Sequence, residues 1–190
     1  LINLLLESGN WPFIHQRPYG IMANPIDKPK AIFVNTSKTY PLHEDFHFIL
    51  KQDQEEFQLG INLLNKLVDQ PVFLGVEKSF PGYFKLIKDV QHYTVQGPHP
   101  AGNISFHIQK ICPLNMGERI WTVNAEDVAN LGRFLVTGEF CSQRTISISG
   151  NALEKPKYFR TRIGIELNSM LKKVRIKYDN VRVINGDVLS

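Results

Sequence analysis

Two groups of residues in this chain have types and spacings that chemistry could use, and a third that nucleotide chemistry would need is missing. The sharpest pattern is His43-Glu44-Asp45-Phe46-His47. Read literally it is H-E-x-x-H, which on a helix sets two histidines on one face as zinc ligands with the glutamate as base. Pro41 lies just upstream and confines the pattern to the first turns of a short helix. No later histidine stands at the usual third-ligand spacing. The ordinary reading is a solvated helix start whose acidic residues suit the helix dipole, and no metal site is assigned. The second group is Tyr93-Thr-Val-Gln-Gly-Pro-His-Pro-Ala-Gly102. Tyr93 and Val95 alternate as strand residues do. Gly97 and Gly102 then open backbone angles closed to other residues, and Pro98 and Pro100 stiffen the turn. His99 is thereby held on a loop at the end of a strand, where α/β sheets bind ligands. It can meet a small molecule or a partner through its ring and the exposed loop amides, or the loop can simply orient two elements. Arg17-Pro18-Tyr19 is a basic and aromatic group that could join it.

The third pattern is one that should exist if the chain held a nucleotide. Strands in an α/β order invite a glycine-rich phosphate loop, and none follows any strand. Ala31–Asn35 leads into Thr-Ser-Lys-Thr-Tyr-Pro, Val72–Val76 into Glu-Lys-Ser-Phe-Pro-Gly, and Arg119–Val123 into Asn-Ala-Glu-Asp. Two of these put carboxylates where a phosphate would sit, which disfavours tight dinucleotide or flavin binding.

The elements that must position these residues follow from periodicity. Residues 1–8 read as a helix ending at Gly9, and the proline-rich stretch 10–29 as a long ordered loop. Ala31–Asn35 and Val72–Val76 are apolar runs of the kind that form buried strands. Residues 52–68 form a helix with Phe57, Ile61, Leu64 and Val68 on one face. Arg119–Val123 is a further strand, and the helix after it carries clear stop and start signals. Asn124 caps it, Asp127 lies in its first turn, and Gly138 ends it. Strands separated by helices imply a mostly parallel, covered sheet. From about residue 143 the pattern changes. Arg144–Ser149 and Tyr158–Arg162 read as a hairpin, Ile165–Leu171 as a short helix, and Val174–Tyr178 and Val181–Ile184 as short strands. The fold expected is therefore α/β: a Rossmann-like, mostly parallel sheet in residues 1–140, then a truncated β-grasp domain in 141–190, with the boundary near 139–143.

Composition narrows the function classes. The chain has 190 residues, 43% hydrophobic, with a net charge of +4. That suits one α/β domain plus part of another. Lys and Arg are scattered rather than striped, so nucleic acid is not an expected partner, whereas an acidic protein surface is compatible. Cys112 and Cys141 have neither metal nor redox spacing and read as free thiols of a reducing compartment. No apolar run approaches the roughly 18 residues of a membrane span. The chain opens without an initiator methionine and reads as a piece of a longer protein.

An ordered set of motifs carries a family resemblance along nearly the whole chain. Glu7-Ser-Gly-Asn-Trp11, Gln16-Arg-Pro-Tyr19, Lys30-Ala-Ile-Phe-Val-Asn35 and Gly97-Pro-His-Pro-Ala-Gly102 come first. Trp121-Thr-Val-Asn-Ala-Glu-Asp-Val128, Leu135-Val-Thr-Gly-Glu139, Arg144-Thr-Ile-Ser-Ile-Ser-Gly150 and Lys155-Pro-Lys-Tyr-Phe-Arg-Thr-Arg162 follow. Together they resemble the A subunits of the sodium-translocating NADH:quinone oxidoreductases. The resemblance implies the middle of a peripheral subunit on the cytoplasmic face of a bacterial inner-membrane respiratory complex. It also implies a Rossmann-like domain similar to the flavin-binding subunit of complex I, without a tightly held flavin or iron–sulfur cluster. NADH oxidation and the flavins would belong to other subunits, and quinone is the implied ligand. The implied partners are the other subunits, above all the quinone-handling membrane subunit. Arg17, Pro18, Gly97, Pro98, His99, Pro100 and Gly102 match family motifs. His107 matches the first of two family histidines spaced i, i+2, and Gln109 replaces the second. No residue is expected to make or break a covalent bond. A flavin- or NADH-binding reductase module and a purely structural interaction subunit are the competing expectations.

Overall fold

A computed structural model describes residues 1–79, 82–187 and 189. Among them the chain forms two compact units, one of Leu1–Thr39 with Phe46–Cys141, the other of Tyr40–Asp45 with residues from Ser142 onward.

The first unit begins with α1 (Ile2–Glu7), a 3-10 turn at Trp11–Phe13, β1 (Ile14–Arg17) and β2 (Ile21–Met22). β3 (Ile32–Asn35), α2 (Phe46–Ile49), α3 (Gln54–Asn65) and β4 (Val72–Glu77) follow. A 3-10 turn at Gly82–Leu86 leads to β5 (Val90–Val95), α4 (Ile104–Ile111), β6 (Ile120–Asn124) and α5 (Ala125–Thr137). The six strands lie in the order β2-β1-β6-β3-β4-β5. β6, β3, β4 and β5 run parallel, and β1 pairs antiparallel with both β6 and β2.

Alternation along the strands divides the core in two. Ile32 and Val34 of β3 and Trp121 and Val123 of β6 face α3 and α5, packing with Phe57, Ile61, Leu64, Val128 and Leu131. Phe33 and Ile120 face the other way, onto Ile108 of α4. The central strands are apolar on both sides because both sides are covered. The two helices on the first face touch through glycines. A Cβ on Gly60 of α3 would lie 2.0 Å from the Val128 carbonyl oxygen, and one on Gly132 of α5 would lie 1.7 Å from that of Glu56. Beside this crossing Arg133 pairs with Asp53 at 2.6 Å and donates to Asn130 Oδ1 at 2.6 Å. α5 has the expected limits: Asn124 Oδ1 accepts from the Glu126 amide, and Gly138 ends the helix with φ +72°.

Two stretches of the first unit differ from what periodicity predicts. Residues 10–29 are not one loop, since they hold the first 3-10 turn, β1 and β2. Pro12 falls at the start of the 3-10 turn, where its missing N–H leaves no bond unmade. β1 then buries Ile14 and Gln16 against β6 between the prolines. Residues 104–111 form α4, a helix absent from the elements expected above. Asn103 caps it by accepting from the Ser105 amide, and Ile104, His107, Ile108 and Ile111 have helical spacing.

In the second unit β7 (Gln143–Ile148) and β8 (Lys157–Arg162) form an antiparallel hairpin, followed by α6 (Leu167–Leu171). The two strands expected after it are not formed. Val174–Tyr178 contributes only an isolated bridge between Ile176 and Leu153, and 181–184 contributes no strand. Both stretches alternate apolar and polar residues, but no paired strand gives them a ladder. Tyr40–Asp45 belong to this unit, where the Asp45 amide donates to the Tyr158 hydroxyl of β8 at 2.9 Å.

The glycine crossing yields a stability test. Gly60→Ala or Gly132→Ala should force the helices apart and cost about 1–3 kcal/mol, lowering the melting temperature by roughly 3–10 °C. A circular-dichroism melt within 1 °C of the parent chain for both variants would show that the crossing is not a tight constraint.

Candidate functional site

The Gly97–Gly102 loop stands at the carboxyl end of β5 and is fixed by the chain leaving β3. Asn35, the last residue of β3, donates from Nδ2 to the Gly102 carbonyl at 2.7 Å, and its Oδ1 accepts from the Ser37 amide at 3.0 Å. The Gly102 amide donates to Thr39 Oγ1 at 2.8 Å. A Cβ on Gly102 would lie 2.7 Å from the Thr39 backbone nitrogen, so only glycine permits this approach. Gly97 has φ +121°, a region that favours glycine. The loop closes on itself where Ala101 N donates to the Pro98 carbonyl and Asn103 N to that of Pro100, each at 2.8 Å. The His99–Pro100 peptide is cis.

His107 secures the loop from beneath. It is buried, with Nε2 at 2.6 Å from the Ala101 carbonyl and Nδ1 at 3.0 Å from the Tyr93 hydroxyl. A carbonyl only accepts, so Nε2 carries the proton and Nδ1 receives the phenol's. Burial pushes the Tyr93 hydroxyl far above its ordinary range, which keeps it a donor. Tyr93 lies across Gly75 of β4, where a Cβ would come within 2.5 Å of the ring. Gly75 thus admits the ring that holds the histidine that holds the loop.

Above these ties the loop is open. Gln96 through Pro100 are exposed and Ala101 and Gly102 half-buried. His99 presents its ring with Nδ1 at 3.5 Å from Thr39 Oγ1. Thr39 already accepts from Gly102, so its own hydroxyl proton can point to His99 Nδ1. That tautomer leaves Nε2–H as an exposed donor.

The sequence-derived residues are brought together only in part. Gly97, Pro98, His99, Pro100 and Gly102 form one loop, and His107 is its internal support rather than a second exposed group. Arg17 is elsewhere. It closes β1 opposite Ile120, at the amino end of β6. Four inter-strand steps of about 4.8 Å, roughly 19 Å, separate its strand from β5. Asn35, Thr39 and Tyr93 join the site although no motif singles them out as site residues. A glycine inside the apolar run of β4 was the available signal that a side chain passes close by.

The other two patterns have plain structural roles. His43 and Glu44 precede α2 instead of lying on it, and Glu44 accepts a hydrogen bond from the Tyr40 hydroxyl. Burial, reinforced by that carboxylate, raises the Tyr40 hydroxyl far above its ordinary range. His47 packs instead against the rings of Phe84 and Tyr83, at 4.8 and 5.8 Å between centroids. Among the described residues no group of three His, Cys, Asp or Glu could hold a metal ion. At the switch point between β6 and β3 the chain passes directly from strand into α5, and Glu126 and Asp127 are buried in its first turn. Phe80 and Pro81, which follow β4 in the sequence, lie outside the described residues. No helix among the described residues is long and apolar enough to cross a membrane.

A mostly parallel sheet covered on both faces, with an exposed loop at its carboxyl edge, defines a Rossmann-like α/β domain, here followed by a hairpin unit. The model of the NqrA second alpha/beta domain matches residues 1–140, and that of the NQRA C-terminal domain matches residues 145–190. The chain belongs to the NqrA family, the A subunits of Na(+)-translocating NADH-quinone reductases. It is 33% identical to the NqrA protein of Pseudomonas aeruginosa (strain PAO1) over 186 residues, covering 98% of this chain and 41% of that protein. It is 34% identical to the NqrA protein of Marinomonas sp. (strain MWYL1) over 190 residues, covering 100% of this chain and 42% of that protein. The chain thus spans about two fifths of the length of these relatives. A solved NAD+-reducing [NiFe]-hydrogenase, in the H2-reduced state, superposes with TM-score 0.64 at 12% identity, over 92% of this chain and 39% of the other. That likeness is one of fold.

The buried histidine sets a pH dependence. Burial lowers the His107 pKa, against the hydrogen bond to Ala101, so the loop-closed state refuses a proton that an opened state accepts near pH 6.5. Loop stability should be complete above about pH 6.5 and fall as pH drops below it. Hydrogen exchange of the Ala101, Gly102 and Asn103 amides, corrected for intrinsic rates, should lose protection between pH 7.5 and 5.5. In His107→Gln that pH response should vanish, and equal pH responses in both chains would refute the assignment.

Proposed function

We propose that this chain is the central part of a peripheral, non-catalytic subunit of a Na+-translocating NADH:quinone reductase, giving scaffolding and one wall of a quinone site. The observation that supports this reading most is the exposed His99 loop at the carboxyl edge of the sheet, tied down by Asn35, Thr39 and His107. A quinone carbonyl accepts hydrogen bonds, and His99 Nε2–H or a loop amide is placed to donate one. In this reading residues 1–140 are a domain related to the flavin-binding subunit of complex I, and 141–190 a truncated β-grasp. NADH and the flavins act on other subunits, and the loop faces the membrane subunit that handles quinone, on the cytoplasmic side. A flavin- or NADH-binding module is disfavoured by the two carboxylates already seated at the start of α5.

Titration of a short-chain quinone into the isotope-labelled chain, followed by amide NMR, tests the reading. Saturable shifts should include His99 and Gly97–Gly102, and His99→Ala should weaken them roughly tenfold, the worth of one hydrogen bond. FMN and NADH should leave the same signals unmoved. Shifts with FMN instead would favour the reductase module, and silence from all three would favour a purely structural role.

A further inference from the structure

The opposite edge of the same sheet holds a cavity of about 690 Å³, at the amino ends of β3, β4 and β6. Its volume lies in the range of small-molecule sites, yet none of the residues of the His99 loop line it. Phe73 of β4 gives it an aromatic surface; its ring stacks on Phe33 at 4.7 Å, which fixes its plane. Three cations and one carboxylate line it: Lys28, Lys30, Arg119 and Glu118.

These charges do not cancel. Glu118 is answered within the protein, by Lys30 Nζ at 2.7 Å and by the Asn115 amide at 2.8 Å. Lys30 spends a further proton on the Pro113 carbonyl at 2.9 Å. Lys28 has no carboxylate partner among the described residues. Arg119 is held by Tyr19, whose ring lies 5.4 Å from the guanidinium carbon, and gives one nitrogen to the Glu118 carbonyl. The rest of its fork is uncommitted. A guanidinium positioned by an aromatic face suits a planar oxyanion better than a mobile ammonium does. Gln70 and Gln91 add amide groups to the lining.

We propose that this cavity binds a small flat ring carrying an oxyanion, the ring lying against Phe73 and the anion held by Arg119 and Lys28. The carboxylate and phosphate forms of such a ligand share this chemistry, and the test separates them. Benzoate and phenyl phosphate are titrated into the labelled full chain, with inorganic phosphate and benzyl alcohol as probes of charge alone and ring alone. At least one ring-bearing anion should give saturable shifts at Phe73, Cys112 and Arg119, bound at least tenfold more tightly than either partial probe. Lys28→Gln with Arg119→Gln should reduce its affinity tenfold or more while the melting temperature holds. In the unsubstituted chain the same anion should slow alkylation of Cys112, which lines the cavity, and leave Cys141 unaffected; this arm needs no variant. Shifts confined to other residues, equal binding of inorganic phosphate, or unchanged Cys112 reactivity would overturn the proposal. The quinone reading stands or falls separately, on shifts at Gly97–Gly102.

Discussion

The contact on which the first unit depends is the crossing of α3 and α5 through Gly60 and Gly132. Each glycine lets the other helix bring a backbone carbonyl to where a side chain would begin. Close approach brings Phe57, Ile61 and Leu64 of α3 and Val128 and Leu131 of α5 onto the same strip of sheet formed by β3 and β6. The Asp53–Arg133 pair then spans the start of one helix and the body of the other. Burial opposes the arginine's charge, but Asp53 and Cys141 together favour it and the net effect raises the Arg133 pKa. Since α3 follows β3 and α5 follows β6, their crossing also fixes the seam between those two strands. That seam is where strand order reverses and where open α/β sheets make their crevice.

From the seam outward, the candidate site is a chain of accommodations by small residues. Gly75 leaves room for Tyr93, Tyr93 positions His107, and His107 reaches the Ala101 carbonyl. On the other side Gly102 fits against Thr39 and is tied by Asn35. The loop is thus held from two neighbouring parts of the sheet, while five successive residues at its tip remain exposed. Rigid support beneath an exposed tip lowers the entropic cost of binding.

Legibility in the sequence followed the strength of local signals. β3, β4, β6 and α5 were readable because apolar runs, an Asn cap and a terminal glycine all act within a few residues. α4 carries the same kind of signal, an Asn cap and Ile at helical spacing, but the neighbouring Gly-Pro-His-Pro loop dominates the local composition. β1 was hidden because proline density suggests a loop, whereas its pairing with β6 spans more than 100 residues of sequence and leaves no local trace. The same holds for the site. Its loop was legible residue by residue, but Thr39 and Asn35 enter through contacts 63 and 67 residues away in sequence, and Arg17 was grouped with the loop although its strand ends at the opposite edge. His107 was legible as a histidine of interest and not as a buried one, because burial is decided by Tyr93 and Ala101.

The two edges of the sheet differ in what they can hold, and the difference comes from side chains. Sheets have little net dipole, so helix ends and ionised groups decide the field. At the carboxyl edge the positive start of α5 would attract an anion, but Glu126 and Asp127 are already buried there. Asn35 and Thr39 are spent on holding the loop, which leaves the His99 ring and the exposed loop backbone to meet a ligand. A phosphate arriving at this edge would meet carboxylates in the place that should welcome it, whereas an uncharged carbonyl would meet hydrogen-bond donors at no electrostatic penalty. At the amino edge the balance reverses, since Lys30 neutralises Glu118 and leaves Lys28 and Arg119 beside an aromatic wall. If both proposals hold, the two edges are distinguishable by charge alone: raising ionic strength weakens binding at the amino edge and leaves the carboxyl edge unchanged.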